Sequence, residues 1–272
     1  MSQPRPITDL DALTRNRQRA DPAALFLQQA ARGEVEDRLA MVNKTFQSPA
    51  IVAAFPDLWA GHHAKAVVTP EAETLALPTQ QHDLVIHSLG LHWANDPVGQ
   101  LIQCRRALQA DGLMLAVALG GQTLHELRSC LAQAESMVTG GLSPRVAPMA
   151  EVRDLGALLQ RAGLALPVAD TVPLKAAYRS MTHLMQDLRA MGEANAMTAR
   201  LRHPTRRAVF DTAAKLYADT FPSDQGGIVA TFELIVLTGW APDVSQQKPL
   251  RPGSAQARLA DALHTDETPL FD

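Results

Sequence analysis

The chain has 272 residues, 46% apolar and 19% charged, with a formal net charge of −3. This composition excludes disorder and fibrous repeats, no apolar run reaches the roughly 18 residues of a membrane span, and the positive field of a nucleic-acid binder is missing. Cys104 and Cys130 are too few for a disulfide scaffold or a cysteine-rich metal site, and they point to a reducing cytoplasm.

In chain order, Arg5, Arg15, Arg17 and Arg19 are interspersed with Asp9, Asp11 and Asp21. Targeting presequences are poor in acids, so this stretch reads as mature protein. From Asp21 the spaced apolar positions Leu25, Leu39 and Val42 predict two helical pieces meeting near Gly33. Short apolar runs at Ile51 to Phe55 and Lys65 to Thr69, each stopped by proline, predict buried strands. His82 to Leu91 reads as a strand. A helix follows, with Asp96 as N-cap, Pro97 at the first helical position and Val98, Leu101, Ile102 and Leu108 on one face. The turn Asp111-Gly112 leads into the apolar run Leu113 to Leu119, completing a βαβ unit.

After Gly120-Gly121 the pattern predicts a helix, then a loop, then a helix from Ala150 to Ala162 closed by Gly163. An extended stretch around Val168 to Tyr178, a helix near Met181, another from Pro204 to Phe221 and a last strand at Ile228 to Leu237 complete the pattern. The order predicts a doubly wound α/β sheet with a small helical cap. The predicted division is a helical lead-in (1–45), an α/β core (46–165 and 228–241), a cap (166–227) and a loosely packed tail (242–272) with a short helix at Ala257 to Leu263.

The segments HSLGLHWANDP, GGQTLHELR, GGLSPRVAPMAEVRDLGALLQRAG, DLRAMGEANA and VATFELIVLTGW together resemble the methyltransferase-like family of respiratory complex I assembly factors, which includes an arginine hydroxylase. That family lies within the class I S-adenosylmethionine (SAM) dependent methyltransferases. The malonyl-acyl-carrier-protein methyltransferases are more distantly similar. The resemblance implies a Rossmann-like seven-stranded sheet whose last strand is antiparallel, SAM as cofactor and a complex I subunit as protein partner.

Where such enzymes carry a glycine-rich cofactor loop, this chain has Phe55-Pro56-Asp57-Leu58-Trp59, and Gly61 is the only glycine between Gly33 and Gly90. Ile51 to Asp83 spans 33 residues. Three strands and two helices need about 60 at roughly 30 per βαβ unit, so the sheet is expected to be shortened by about one βα unit.

On this resemblance Glu71 or Glu73 would hold the cofactor ribose, and His92 and Trp93 would wall the cofactor position at the carboxyl ends of the strands. Gly120, Gly121, Thr123, Glu126 and Arg128 would form a polar substrate cradle, with Glu126 able to pair a guanidinium and Arg128 a carboxylate. Ser143, Arg145, Asp154, Arg189, Glu193 and Asn195 would line the cap side of the cleft. The histidines show no zinc-site spacing, and no nucleophile elbow, P-loop or reactive-cysteine signature is present. Two functions remain open: a SAM-dependent enzyme that modifies a protein side chain, and a pseudoenzyme that has lost the cofactor loop and acts as a binding or assembly chaperone.

Overall fold

The computed structural model describes residues 6–63 and 65–247. Six strands form one sheet: β1 (Pro49–Ala53), β2 (Val67–Pro70), β3 (His82–Ser88), β4 (Leu108–Leu119), β5 (Ala165–Tyr178) and β6 (Ile228–Trp240), in the order β2-β1-β3-β4-β6-β5. β2, β1, β3 and β4 pair in parallel, and β6 runs antiparallel to both its neighbours, β4 and β5. The antiparallel last strand is therefore present, but the described residues form six strands rather than seven. Only 13 residues (54–66) separate β1 from β2, and they hold a single 3₁₀ turn, Pro56–Trp59, in place of a crossover helix.

Among the described residues seven α-helices accompany the sheet: α1 (Leu10–Gln18), α2 (Phe26–Met41), α3 (Pro97–Ala107), α4 (His125–Thr139), α5 (Val152–Arg161), α6 (Met181–Ala190) and α7 (Arg207–Thr220). Side chains alternate across the strands and so divide the interior in two. Ile51, Ile86, Leu115, Val117 and Phe232 pack with α2 and α4, while Val52, Val85, Met114 and Ala116 pack with α3 and α5. Cys104 and Cys130 are both free and lie in these opposite layers.

Local signals explain several boundaries. Asp96 Oδ1 accepts from Gly99 N at 2.8 Å and Pro97 opens α3, as the sequence predicts. Gly163 follows the α5 C-cap with φ +78°. α2 runs unbroken through Gly33, contrary to the expected two pieces, because its buried face of Leu27, Ala31 and Val35 continues across that position. Asp111-Gly112 is not a separate turn but an irregularity inside β4, where Asp111 has φ +58°. Lys44 Nζ donates to the Asp111 carbonyl at 2.6 Å and to its carboxylate at 2.8 Å.

The largest difference is β5. Residues 165–178, placed mostly in a helical cap by the sequence reading, form a 14-residue edge strand paired with β6. Its alternating exposure and its two prolines, Pro167 and Pro173, suit an edge. The cap-side helices are α6 and α7, from Met181 to Thr220. The described residues 243–247 fall outside the unit that holds the sheet. Most of the expected tail, including the helix at Ala257 to Leu263, lies outside the described residues.

Candidate functional site

The parallel strands end on one edge of the sheet, and a cavity of about 810 Å³ opens there. Its walls come from the ends of β1 (Ala54, Phe55) and β2 (Glu71), from the loop after β3 (Gly90, Trp93) and from α1. Ligands of open α/β sheets bind at this place. Glu71 is the first residue after β2, and its N–H donates to Ala53 O at 3.3 Å. A Cβ on Gly90 would overlap the Glu71 carboxylate, so only glycine lets that side chain fold across the loop. Glu73 is exposed, although it too lines the cavity.

The occupant of the Glu71 carboxylate is Arg17. Its Nη1 lies against Glu71 Oε1, and the two side chains are 10% and 18% exposed. Arg17 is carried by α1, which is fastened to the segment between α6 and α7. Asp9 N donates to Ala196 O at 2.8 Å, Thr198 N to Ile7 O at 2.8 Å and Asn16 Nδ2 to Ala194 O at 3.0 Å. Asn95 bonds both the N–H and the carbonyl of Thr8, at 2.9 and 3.2 Å.

Deeper in the same edge, Glu193 Oε2 accepts from Trp93 Nε1 at 2.7 Å and contacts His92 Nε2 at 3.3 Å. Burial pushes the Glu193 pKa up, but the His92 hydrogen bond and the charges of His92 and Arg17 outweigh it, so the carboxyl is held below its usual range. His87, from the middle of the β3 run, is buried against Gln100 Oε1 at 3.3 Å, and burial lowers its pKa to about 4. Arg17 Nε and Nη2, Glu71 Oε2, His87 Nδ1, His92 Nδ1 and Glu193 Oε1 have no hydrogen-bond partner among the described residues. These unpaired buried polar atoms gather at the carboxyl edge of the sheet, beside the cavity.

A second, apolar cavity of about 240 Å³ lies on the other side of Trp93, walled by α2, α4, α6, α7 and Phe232 of β6. Of the residues expected in the substrate cleft, Thr123, Arg145, Glu193 and Asn195 line it. Their charges and polar groups are mostly engaged. Arg145 Nη2 donates to Glu135 Oε1 at 2.6 Å and its Nη1 to Thr205 Oγ1 at 2.6 Å. Ser143 Oγ also meets Glu135, at 2.6 Å, so Ser143 supports Arg145 rather than the cleft. The Arg145 guanidinium and the Ser143 donors hold the Glu135 carboxyl at about 2. Thr123 exchanges hydrogen bonds with the Glu233 backbone, and Asn195 Nδ2 donates to Pro144 O at 2.9 Å.

The expected polar cradle is not one. Glu126 turns into the protein, where it accepts from Thr231 Oγ1 at 2.5 Å and Thr231 N at 3.2 Å, so it pairs with β6 and not with a guanidinium. Arg128 donates to the carbonyls of Gly121 and Thr123, at 3.4 and 3.1 Å, and so serves the loop and not a carboxylate. The space beside Gly120 is filled by the Glu233 carboxylate and that beside Gly121 by Glu151. Asp154 is exposed on α5, and Arg189 faces an outer groove. Among the described residues no group of three or more His, Cys, Asp or Glu is placed to hold a metal ion, and no helix is long and apolar enough to cross a membrane.

The sequence reading missed Arg17, His87 and Gln100. A histidine inside an otherwise apolar strand was a usable signal for His87. Arg17 had none, because its partner lies 54 positions away.

A doubly wound sheet with one reversed strand and a cavity at its carboxyl edge is a Rossmann-like α/β architecture. The methyltransferase domain family matches residues 47–116. Over those residues the chain is similar to a methyltransferase domain, in line with the resemblance carried by its sequence segments. It is 37% identical to "Arginine-hydroxylase NDUFAF5, mitochondrial" of Danio rerio over 194 residues, 71% of this chain and 60% of that protein. It is 32% identical to the malonyl-[acyl-carrier protein] O-methyltransferase of Laribacter hongkongensis over 190 residues, 70% of this chain and 61% of that one. The YcgJ protein of Bacillus subtilis aligns with a TM-score of 0.48 at 12% identity, covering 77% of this chain and 97% of that one. The chain thus spans about three fifths of the length of the first two relatives. The mitochondrial designation of the first relative overturns the cytoplasmic expectation. Two buried thiols fit any reducing compartment, so they could not carry that inference.

Proposed function

We propose that this chain is a non-methylating member of the class I SAM-dependent methyltransferase superfamily that binds a protein partner, an arginine-bearing subunit in the maturation of respiratory complex I. The complex I setting and the arginine come from the family resemblance and from the relative named an arginine hydroxylase. The observation that carries the non-methylating part is the segment after β1. A SAM methionyl group needs backbone N–H donors at close approach. Here Phe55 walls the cavity, Pro56 has no N–H, and the N–H groups of Leu58 and Ala60 are taken by the carbonyls of Phe55 and Asp57 at 3.2 and 3.3 Å. Trp59, 1% exposed, packs into the α2 layer and away from the cavity. Arg17 engages the carboxylate that would bind the ribose. The residues present therefore do not fit SAM.

A second reading retains SAM. It is favoured by the position of Glu71 directly after β2 and by the size of the cavity. Titration calorimetry with SAM and S-adenosylhomocysteine separates the two. The expected result is no heat of binding and no thermal shift at millimolar ligand. Micromolar binding, which would stabilise the fold by about 2.7 kcal/mol at a hundredfold excess over Kd, would overturn the proposal.

A further inference from the structure

Outside the two cavities, α1, α6 and α7 enclose an open groove of about 860 Å³. Its floor includes Met181, Met185 and Phe210, and its rim carries three exposed arginines, Arg19, Arg189 and Arg207. None of the three makes an ion pair among the described residues, whereas Arg17, Arg38, Arg145 and Arg200 do. Two acids also line the groove, Asp21 and Asp211. Asp21 is engaged in capping, accepting from Ala23 N at 2.9 Å.

The start of α7 gives an independent indication. Arg206 is its N-cap residue and Arg207 its first residue, with no acid in the first turn and no side-chain cap. Cations at the positive end of a helix dipole are disfavoured. A local rule broken without a compensating contact points to a function met elsewhere. In a chain of net charge −3, unpaired arginines gathered at one helix start and around one apolar groove are complementary to an acidic partner.

The groove is also continuous with the interior. Met185, Ala194 and Phe210 line both it and the apolar cavity next to Glu193. A segment lying in the groove could pass one side chain inward between them.

We propose that the groove between α1, α6 and α7 docks an acidic, amphipathic segment of a partner protein, with the apolar face of the segment on Met185 and Phe210 and its carboxylates on Arg19, Arg189 and Arg207. The inference rests on the reading above that the partner is a protein, but not on the absence of SAM chemistry.

The test uses the full chain and a fluorescein-labelled peptide of about 12 residues with Leu at helical spacing and Glu between, read by fluorescence anisotropy. Micromolar binding is expected, weakening by about tenfold or more in Arg189→Glu/Arg207→Glu and at raised salt. Arg189→Gln/Arg207→Gln, a milder pair, covers the case in which the reversal lowers the melting temperature. Three results would overturn the proposal: no binding at millimolar peptide, equal binding of the peptide with Lys in place of Glu, or affinity equal to the parent's in both variant pairs. Binding of phosphatidylglycerol vesicles or of a single-stranded oligonucleotide more tightly than the peptide would also overturn it. SAM titration decides the non-methylating reading separately, so the two ideas fail on different ligands.

Discussion

Glu126 separates a structural from a functional account of the α4 start. Its carboxylate is 2% exposed as a residue and accepts two hydrogen bonds from Thr231, at 2.5 and 3.2 Å, which fasten the first turn of α4 to β6. Glu126→Ala removes the acceptor and leaves the Thr231 hydroxyl and N–H buried without a partner. Each bond to a charged acceptor contributes about 1.5–3 kcal/mol, and partial relaxation reduces the sum, so the expected loss is about 3 kcal/mol. For a chain of this size that lowers Tm by about 6–12 °C. Glu126→Gln keeps an acceptor for Thr231 N and turns a donor toward Oγ1, and is expected to cost less than about 1 kcal/mol. Differential scanning fluorimetry and urea midpoints at unchanged slope measure both. The reasoning is refuted if Glu126→Ala melts within about 2 °C of the parent, or if Glu126→Gln costs as much as Glu126→Ala.

Gly227→Ala is expected to cost about 3 kcal/mol or more, because Gly227 has φ +81° and a Cβ there would overlap the Tyr178 carbonyl; a urea midpoint shared with the parent would contradict this. Arg17→Met leaves Glu71 without its counter-charge and should destabilise by about 3 kcal/mol, with Arg17→Met/Glu71→Gln recovering part of the loss; a fully additive double mutant would show that the pair is not coupled. His87 has a folded pKa of about 4, below its ordinary value, so between those two values the unfolded chain binds the extra proton. Stability from this residue is therefore full above the unfolded pKa and falls as acid approaches the folded one, by up to about 3 kcal/mol between pH 7 and 4; urea unfolding across that range should show a slope that His87→Gln removes.

The parts of the fold visible in the sequence are those whose cause is local. Asp96-Pro97 marks the start of α3 because the cap and the proline act within three residues, and Leu113 to Leu119 reads as a strand because both its faces are covered. The shortening of the stretch from Ile51 to Asp83 followed from chain length alone, and that stretch holds β1, β2 and one 3₁₀ turn before β3. β5 was read only as an extended stretch, since Pro167 and Pro173 interrupt it and only pairing with β6 makes it a strand. Of the residues expected at the candidate site, Glu71, Trp93 and Glu193 line the cavities at the carboxyl edge. Glu126 and Arg128 were misread because a charge at a helix start looks solvated until the neighbouring strand is in place. Arg17 stayed hidden for the same reason, since its effect arises from contacts between distant parts of the chain.

α1 has nine residues, and an isolated helix shorter than about 12–15 residues is marginal in water. Its helicity therefore depends on docking, through contacts that join positions as far apart as Asn16 and Ala194. The wall that carries Arg17 is thus held by tertiary contacts and not by its own helicity, so a substitution at Asn16 that weakens docking is expected to speed amide exchange in α1 and to withdraw the counter-charge of Glu71.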